Sequence, residues 1–223
     1  MALFTAIAAG ALDDPYTFDA GGAGGVPTAT DDVDAAGFAL TQGDPPLAAL
    51  ASLTDLVTGG GQLTITADFT CPDVQEVRII NNSTVTLSFG TSGCQYSGGG
   101  DAVGNQALGV LSVSGDLTNS GNGTGVNNDN GVITDFTGTL TNSGSGIAVN
   151  NYVTWTNFSG NLILASLAAS AIGGNAIPFS GTIHIAAQPD LAAANILTSK
   201  TILGVAGTLD IAADNPPPPR ILA

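Results

Sequence analysis

Phe136-Thr137-Gly138-Thr139-Leu140-Thr141-Asn142-Ser143-Gly144-Ser145-Gly146 is a phrase that the chain has carried once before. The earlier copy is Val113-Ser114-Gly115-Asp116-Leu117-Thr118-Asn119-Ser120-Gly121-Asn122-Gly123. The heart of the phrase returns at Phe158-Ser159-Gly160-Asn161-Leu162 and again at Phe179-Ser180-Gly181-Thr182-Ile183. From Gly115 through Gly138 and Gly160 to Gly181 each step is slightly shorter than the one before. The mean step is about 22 residues, and a near-constant period of this size marks a stacked repeat architecture. One such unit is too small to enclose a core of its own, so its apolar side has to be covered by the next copy.

Working outward, the strands on either side read the same way. Leu63-Thr64-Ile65-Thr66-Ala67-Asp68-Phe69 alternates apolar and polar, as does Thr84-Val85-Thr86-Leu87-Ser88-Phe89; period two is the mark of a half-buried strand. Val77 to Ile80 lies between them, with Asn81-Asn82 as a turn, and from Gly109 to about Ile185 short strands are divided by Asn-Gly, Ser-Gly and Asn-Asn corners. The expected class is all-β, with short strands stacked on a repeat of about 22 residues in the manner of a parallel β-helix. Turn signals every ~8–12 residues keep a β-sandwich or antiparallel meander as the alternative.

The segment before the strands differs. Residues 1–58 contain Gly21-Gly22-Ala23-Gly24-Gly25 and Asp44-Pro45-Pro46, both chain breakers, and read as an irregular, acidic arm. Within it Leu47 to Val57 is expected to be a short helix, with Leu50, Leu53, Leu56 and Val57 on one face. Residues 59–189 form the β-repeat body, and 190–223 a C-terminal segment ending in Pro216-Pro217-Pro218-Pro219, an extended polyproline run.

Composition narrows function more by exclusion. Of 223 residues only 9% are charged and 31 are Gly, and the net charge is −15 with Arg78, Lys200 and Arg220 the only basic residues. Binding to nucleic acid requires clustered Lys and Arg, so that class is excluded. The longest apolar run, Leu162 to Ile172, is too short to span a bilayer, so no membrane insertion is expected. The apolar stretch Met1 to Leu12 lacks the basic residues of a secretory leader. Assembly in a cytoplasm is therefore the expected localisation, with an extracellular or cell-surface site as the alternative.

Catalytic sets are hard to assemble. Glycoside hydrolysis needs two facing carboxylates, yet Asp116 and Asp135 occupy inequivalent positions in successive repeats, and Asp101 and Asp129 sit in turns. His184 stands alone, which argues against both a Ser-His-Asp triad and a metal site. No enzymatic activity, cofactor or metal is expected. Cys71 and Cys94 are one repeat step apart; they are either a disulfide between stacked turns or two buried free thiols. Tyr152 and Trp155 are candidates for a glycan or partner contact, since an exposed aromatic can stack on a sugar ring. Phe158 shares the phrase position of Phe136 and Phe179 and belongs to a packed core or a trimer seam. In the arm, eight Asp residues (Asp13, Asp14, Asp19, Asp31, Asp32, Asp34, Asp44 and Asp55) and no base suit a basic partner surface. Leu3, Phe4, Tyr16, Phe18 and Phe38 are its candidate anchors.

Near the C-terminus stands Asn195-Ile196-Leu197-Thr198-Ser199-Lys200-Thr201-Ile202-Leu203-Gly204-Val205-Ala206-Gly207-Thr208-Leu209. It resembles a segment of bacteriophage tail-fibre, collar and head-surface proteins that reads approximately N-I-x-x-G-x-x-I-x-G-V-x-G-T. Asn195, Ile196, Ile202, Gly204, Val205, Gly207 and Thr208 match, while Ser199 stands where a Gly is usual. The resemblance implies a structural protein of a virion exterior, capsid decoration or fibre, usually a homotrimer contacting other virion proteins and, at a host surface, glycan. A bacterial surface or filament subunit of adhesin type is the second reading, and a glycan-acting β-helix enzyme the third.

Overall fold

In the computed structural model, residues 2–56, 60–106, 109–164 and 172–185 are described, with 201–202 and 205–206. The chain winds as a β-solenoid whose strands pair in parallel with strands of the next turn. Its first turns carry β1 (Leu3–Thr5), β2 (Gly10–Ala11), β3 (Asp32–Asp34), β4 (Ala39–Thr41) and β5 (Ser52–Thr54). There follow β6 (Gln62–Ile65), β7 (Phe69–Gln75), β8 (Arg78–Asn81), β9 (Val85–Tyr96), β10 (Val103–Asn105), β11 (Val110–Ser114) and β12 (Leu117–Asn119). The repeat region adds β13 (Val126–Asn128), β14 (Val132–Thr137), β15 (Thr139–Asn142), β16 (Val149–Asn151), β17 (Thr154–Trp155) and β18 (Asn161–Leu164). Last in the stack are β19 (Ile172–Gly174) and β20 (Thr182–Ile185).

Three ladders run along the axis. One is an eight-stranded sheet in the order β19-β16-β13-β10-β8-β6-β4-β2. The other two are joined in a twelve-stranded sheet, because β7 and β9 are long enough to serve both: Phe69–Cys71 lies on Leu87–Phe89, and Asp73–Gln75 on Gly93–Gln95. Above β9 the two ladders separate into β11 and β12, and the break falls at Gly115. Gly115 and Gly138 have φ of 92° and 113°, and a Cβ on Gly138 would collide with the carbonyl oxygen of Gly115 directly below. Glycine is therefore required at this corner twice over, by conformation and by the closeness of the next turn.

Several interior positions of the later turns keep one residue type. Val103, Val126 and Val149 stack in the first ladder, and Leu117, Leu140 and Leu162 in another, all fully buried. Phe136, Phe158 and Phe179 form a ring stack with centroids 4.8 and 4.9 Å apart, close to the ~4.8 Å rise between parallel strands. The longer first step, from Gly115 to Gly138, has a local cause. Leu111 pairs with Ile133 but Ser112 with Asp135, so Thr134 is an extra residue taken up as a bulge.

Within the expected arm, residues 2–56 depart from expectation. They are not an arm: β1, β3 and β5 extend the twelve-stranded sheet, β2 and β4 the eight-stranded one, and Val33, Leu40, Leu50 and Leu53 are fully buried in the same core. The expected helix at Leu47 to Val57 is instead an extended run containing β5, with Ser52, Leu53 and Thr54 paired to Asp32, Val33 and Asp34. Leu50 and Leu53 face inward while Leu56 is exposed; Val57 lies outside the described residues. Covering the end of the core outweighed helical spacing. The Gly-rich breakers fall in the insertion between β2 and β3, which opens with a single 3-10 turn at Pro15–Thr17.

Candidate interaction surfaces

Polar side chains in this fold are turned first toward the chain itself. Asn81, Asn105, Asn128 and Asn151 end successive strands of the eight-stranded sheet and point inward, wholly buried. Each donates its Nδ2 to the Oδ1 of the next, at 2.9, 2.9 and 2.8 Å. A second, shorter row joins Asn119 to Asn142 at 3.0 Å, and these amides also donate to the carbonyls of Gly123 and Gly146, closing the corner loops. A buried amide costs stability unless its hydrogen bonds are made, and here stacking makes them. The signal was the Asn doublets at Asn81, Asn127 and Asn150; they read as turn residues, whereas the second Asn of the later two doublets is an interior rung.

The acids are occupied in the same manner. Asp116 accepts from Thr139 N at 2.9 Å, and Asp135 accepts from Ser159 N and Oγ at 3.1 and 2.7 Å, each on the following turn. Asp68 likewise takes Thr86 N, and Glu76 takes Ser97 N and Oγ. Asp101 receives Asn127 Nδ2 at 2.9 Å and lies 3.9 Å from Arg78. His184 is exposed on β20 beside Ile163. Among the described residues no group of three or more His, Cys, Asp or Glu is placed to hold a metal ion, and no helix is long and apolar enough to cross a membrane.

The early turns use their carboxylates to tie loops. Asp31 accepts from Ala2 N, Thr28 N and Thr28 Oγ1, and these bonds hold its carboxyl below the ordinary value. Asp19 accepts from Gly21 N and Ala23 N, with the same direction of shift, led by the Gly21 bond. Asp34 takes Ala36 N and Leu56 N; Asp55 takes Gly60 N at 2.6 Å and Gly61 N. Asp13 accepts Asp44 N, Asp14 accepts Tyr16 N, and Asp32 accepts Ser52 Oγ. These acids brace the fold, so their number does not describe a free acidic docking strip. Of the expected anchors, Leu3 and Tyr16 are 60% and 61% exposed. Phe4 and Phe18 meet edge to face at 5.6 Å, and they and Phe38 pack against the core.

Of the two readings of the cysteines the structure has the second, and the reading of Trp155 is corrected. Cys71 and Cys94 are free thiols. The cause is register: Cys71 lies beside Phe89 and Cys94 beside Val74, because the turn from β7 to β9 is shorter than the spacing of the two cysteines in the sequence. Burial pushes the Cys71 thiol up to about 12 and raises that of Cys94 also. Trp155 is 3% exposed; its ring packs 5.9 Å from Phe158 and its Nε1 donates to the Asn157 carbonyl at 2.7 Å. It is an interior residue and offers no surface for a sugar. Tyr152, by contrast, is 59% exposed, with Val153 exposed beside it.

Of the C-terminal segment, β21 (Thr201–Ile202) and β22 (Val205–Ala206) are described and pair antiparallel, Ile202 with Val205; the rest of that segment lies outside the described residues. Comparison with protein-family models, curated proteins and solved structures finds no match for the chain.

Proposed function

We propose that the protein is a non-enzymatic structural component of a bacteriophage virion exterior, either capsid decoration or part of a fibre or spike, assembled as a homo-oligomer, most simply a trimer. The observation that carries this reading is the use of the polar side chains: the amide rows join neighbouring turns and the carboxylates bind neighbouring turns or their own loops, which makes a stiff rod and leaves no converging set of reactive groups among the described residues. Stiffness, a low content of charge and exposed strand-rich faces suit a part that is displayed and packed in copies. The virion assignment draws on the segment from Asn195 to Leu209, within which Thr201–Ile202 and Val205–Ala206 pair antiparallel.

The test is to purify particles from the host that carries the gene and count this chain per particle by quantitative mass spectrometry. Hundreds of copies support capsid decoration, and a handful support a fibre or spike. Recovery with the bacterial envelope and absence from particles overturn the proposal in favour of a cell-surface subunit. Light scattering of the purified chain tests assembly separately: a closed oligomer is expected, and a persistent monomer in every assembled form rejects that part.

A further inference from the structure

Tyr152 stands on the ridge where each turn leaves the eight-stranded sheet. The preceding residues Asn105, Asn128, Asn151 and Gly174 are paired in register, so Gln106, Asp129, Tyr152 and Asn175 follow one another up the ridge. Backbone bonds hold the column: Asp129 N donates to the Asn105 carbonyl at 3.1 Å and Tyr152 N to the Asn128 carbonyl at 2.9 Å. Asn175 Nδ2 donates to the Tyr152 carbonyl at 2.7 Å, so Tyr152 is fixed on both sides. Its ring nevertheless remains 59% exposed, in a column whose other members are amides and a carboxylate.

A large aromatic left in water on an otherwise polar ridge contributes nothing to the core. Its neighbours one turn below and above, at the ~4.8 Å rise of a parallel ladder, are Asp129 and Asn175. Two residues back along the same strand are Asn150 and, one turn lower, Asn127; Asn127 is only 9% exposed, with its Nδ2 on Asp101 and its Oδ1 buried without a hydrogen-bond partner. An apolar plate flanked by amides and a carboxylate matches a ligand that has both an apolar C–H face and a rim of hydroxyls. Such a ligand is a sugar ring. The net charge of −15 opposes an acidic polysaccharide, and Arg78, the only Lys or Arg side chain among the described residues, is turned toward Asp101.

We propose that Tyr152, with Asp129 and Asn175 on the adjoining turns, forms a binding site for an uncharged oligosaccharide. The ring stacks on one face of the sugar while Asp129 accepts from, and Asn175 through its remaining oxygen accepts from, hydroxyl groups at its edge. Because the backbone at Tyr152 is already fixed, binding has little ordering cost there. The site does not depend on the virion assignment, since it rests on the ridge alone.

The test uses the full chain against an immobilised panel of neutral and uronate- or sialate-bearing oligosaccharides, with saturation-transfer NMR on the neutral hits. Binding to neutral members is expected. Tyr152→Ala should weaken it about tenfold, the scale of one aromatic contact, while Tyr152→Phe keeps it. Asp129→Asn should weaken it less than Tyr152→Ala. Lack of any neutral ligand, preference for acidic members, or affinity unchanged in Tyr152→Ala each overturns the site. So does a Tyr152→Ala protein whose oligomeric state changes in light scattering, which makes the ridge a subunit seam. Unchanged circular dichroism of the variants separates these outcomes from misfolding.

Discussion

The turns before Asn81 and those after it make one solenoid with two chemistries. In the later turns of the eight-stranded sheet the spacing is constant: Val103, Val126, Val149 and Ile172 follow one another at equal intervals. Inward amides and phenyl rings stack like on like. In the earlier turns Gly10 lies beside Leu40, Leu40 beside Leu63 and Leu63 beside Ile79; each interval is shorter than the one before, and the last is near half the first. There the loops are tied by Asp13, Asp19, Asp31, Asp34 and Asp55 to nearby backbone N–H groups. The difference is a matter of reach. An amide row needs its partner at the same place one turn away, so it fixes the register of successive strand ends. A carboxylate finds a donor wherever a loop places one, so it permits unequal turns.

The comparison breaks most sharply at glycine. Gly138→Ala puts a Cβ on a residue with φ of 113° and against the Gly115 carbonyl; a loss of more than about 3 kcal/mol, seen as failure to recover folded protein, is expected. Gly60→Ala, in the earlier half, meets nothing within 4 Å and should stay within about 0.5 kcal/mol of the parent in a denaturant titration. Next comes the ring stack: Phe158→Ala removes a fully buried ring between two others, at a cost of about 3–5 kcal/mol, read as a lowered urea midpoint. Asn128→Ala interrupts the amide row, leaving the Asn105 donor and the Asn151 acceptor short of partners, for roughly 2–4 kcal/mol.

Acid should act on the earlier half. Asp19 and Asp31 bind protons less readily when folded than at the ordinary value of 3.8. Their contribution is therefore complete above about that pH and is lost as pH falls below it toward the folded values. Thermal midpoints at pH 3 and pH 7 in the parent and in Asp31→Asn check this; the variant should lose less on acidification. The smallest effect concerns Cys71 and Cys94, whose burial keeps them as thiols. A disulfide-exchange reagent should label neither in the native protein and both in urea, and reductant should not move the thermal midpoint.

Legibility followed the same division. The parallel stack could be read from Gly115, Gly138, Gly160 and Gly181 because a glycine wedged against the turn below leaves a fixed mark at each turn. The earlier turns left no such mark: Val33, Leu53, Val74 and Cys94 are stacked at near-equal steps without a recurring glycine phrase, and the breakers around them resembled those of an arm. Hydrophobic spacing alone could not tell Leu50 and Leu53 on a strand from the same pair on a helix. The cysteines misled through a count, since a spacing of one repeat places residues over one another only where the local turn has that same length. Tyr152 and Trp155, close neighbours in the chain, differ in exposure because Trp155 lies in β17 over Ile133, and Tyr152 on the corner before it.

The row from Asn81 to Asn151 has a direction. Asn81 Nδ2 also donates to the Ser83 carbonyl and Asn128 Nδ2 to that of Thr154, which fixes which end of each amide is the donor. Every side-chain N–H in the row points toward the later turns. Backbone hydrogen bonds between turns run both ways along the axis, as with Ala6 N to Asp34 O and Gln62 N to Phe38 O, and their dipoles largely cancel. The amide dipoles add instead, each polarising the next. The rod thus carries an electrical polarity along its length, with its acceptor end at Asn81 and its donor end at Asn151.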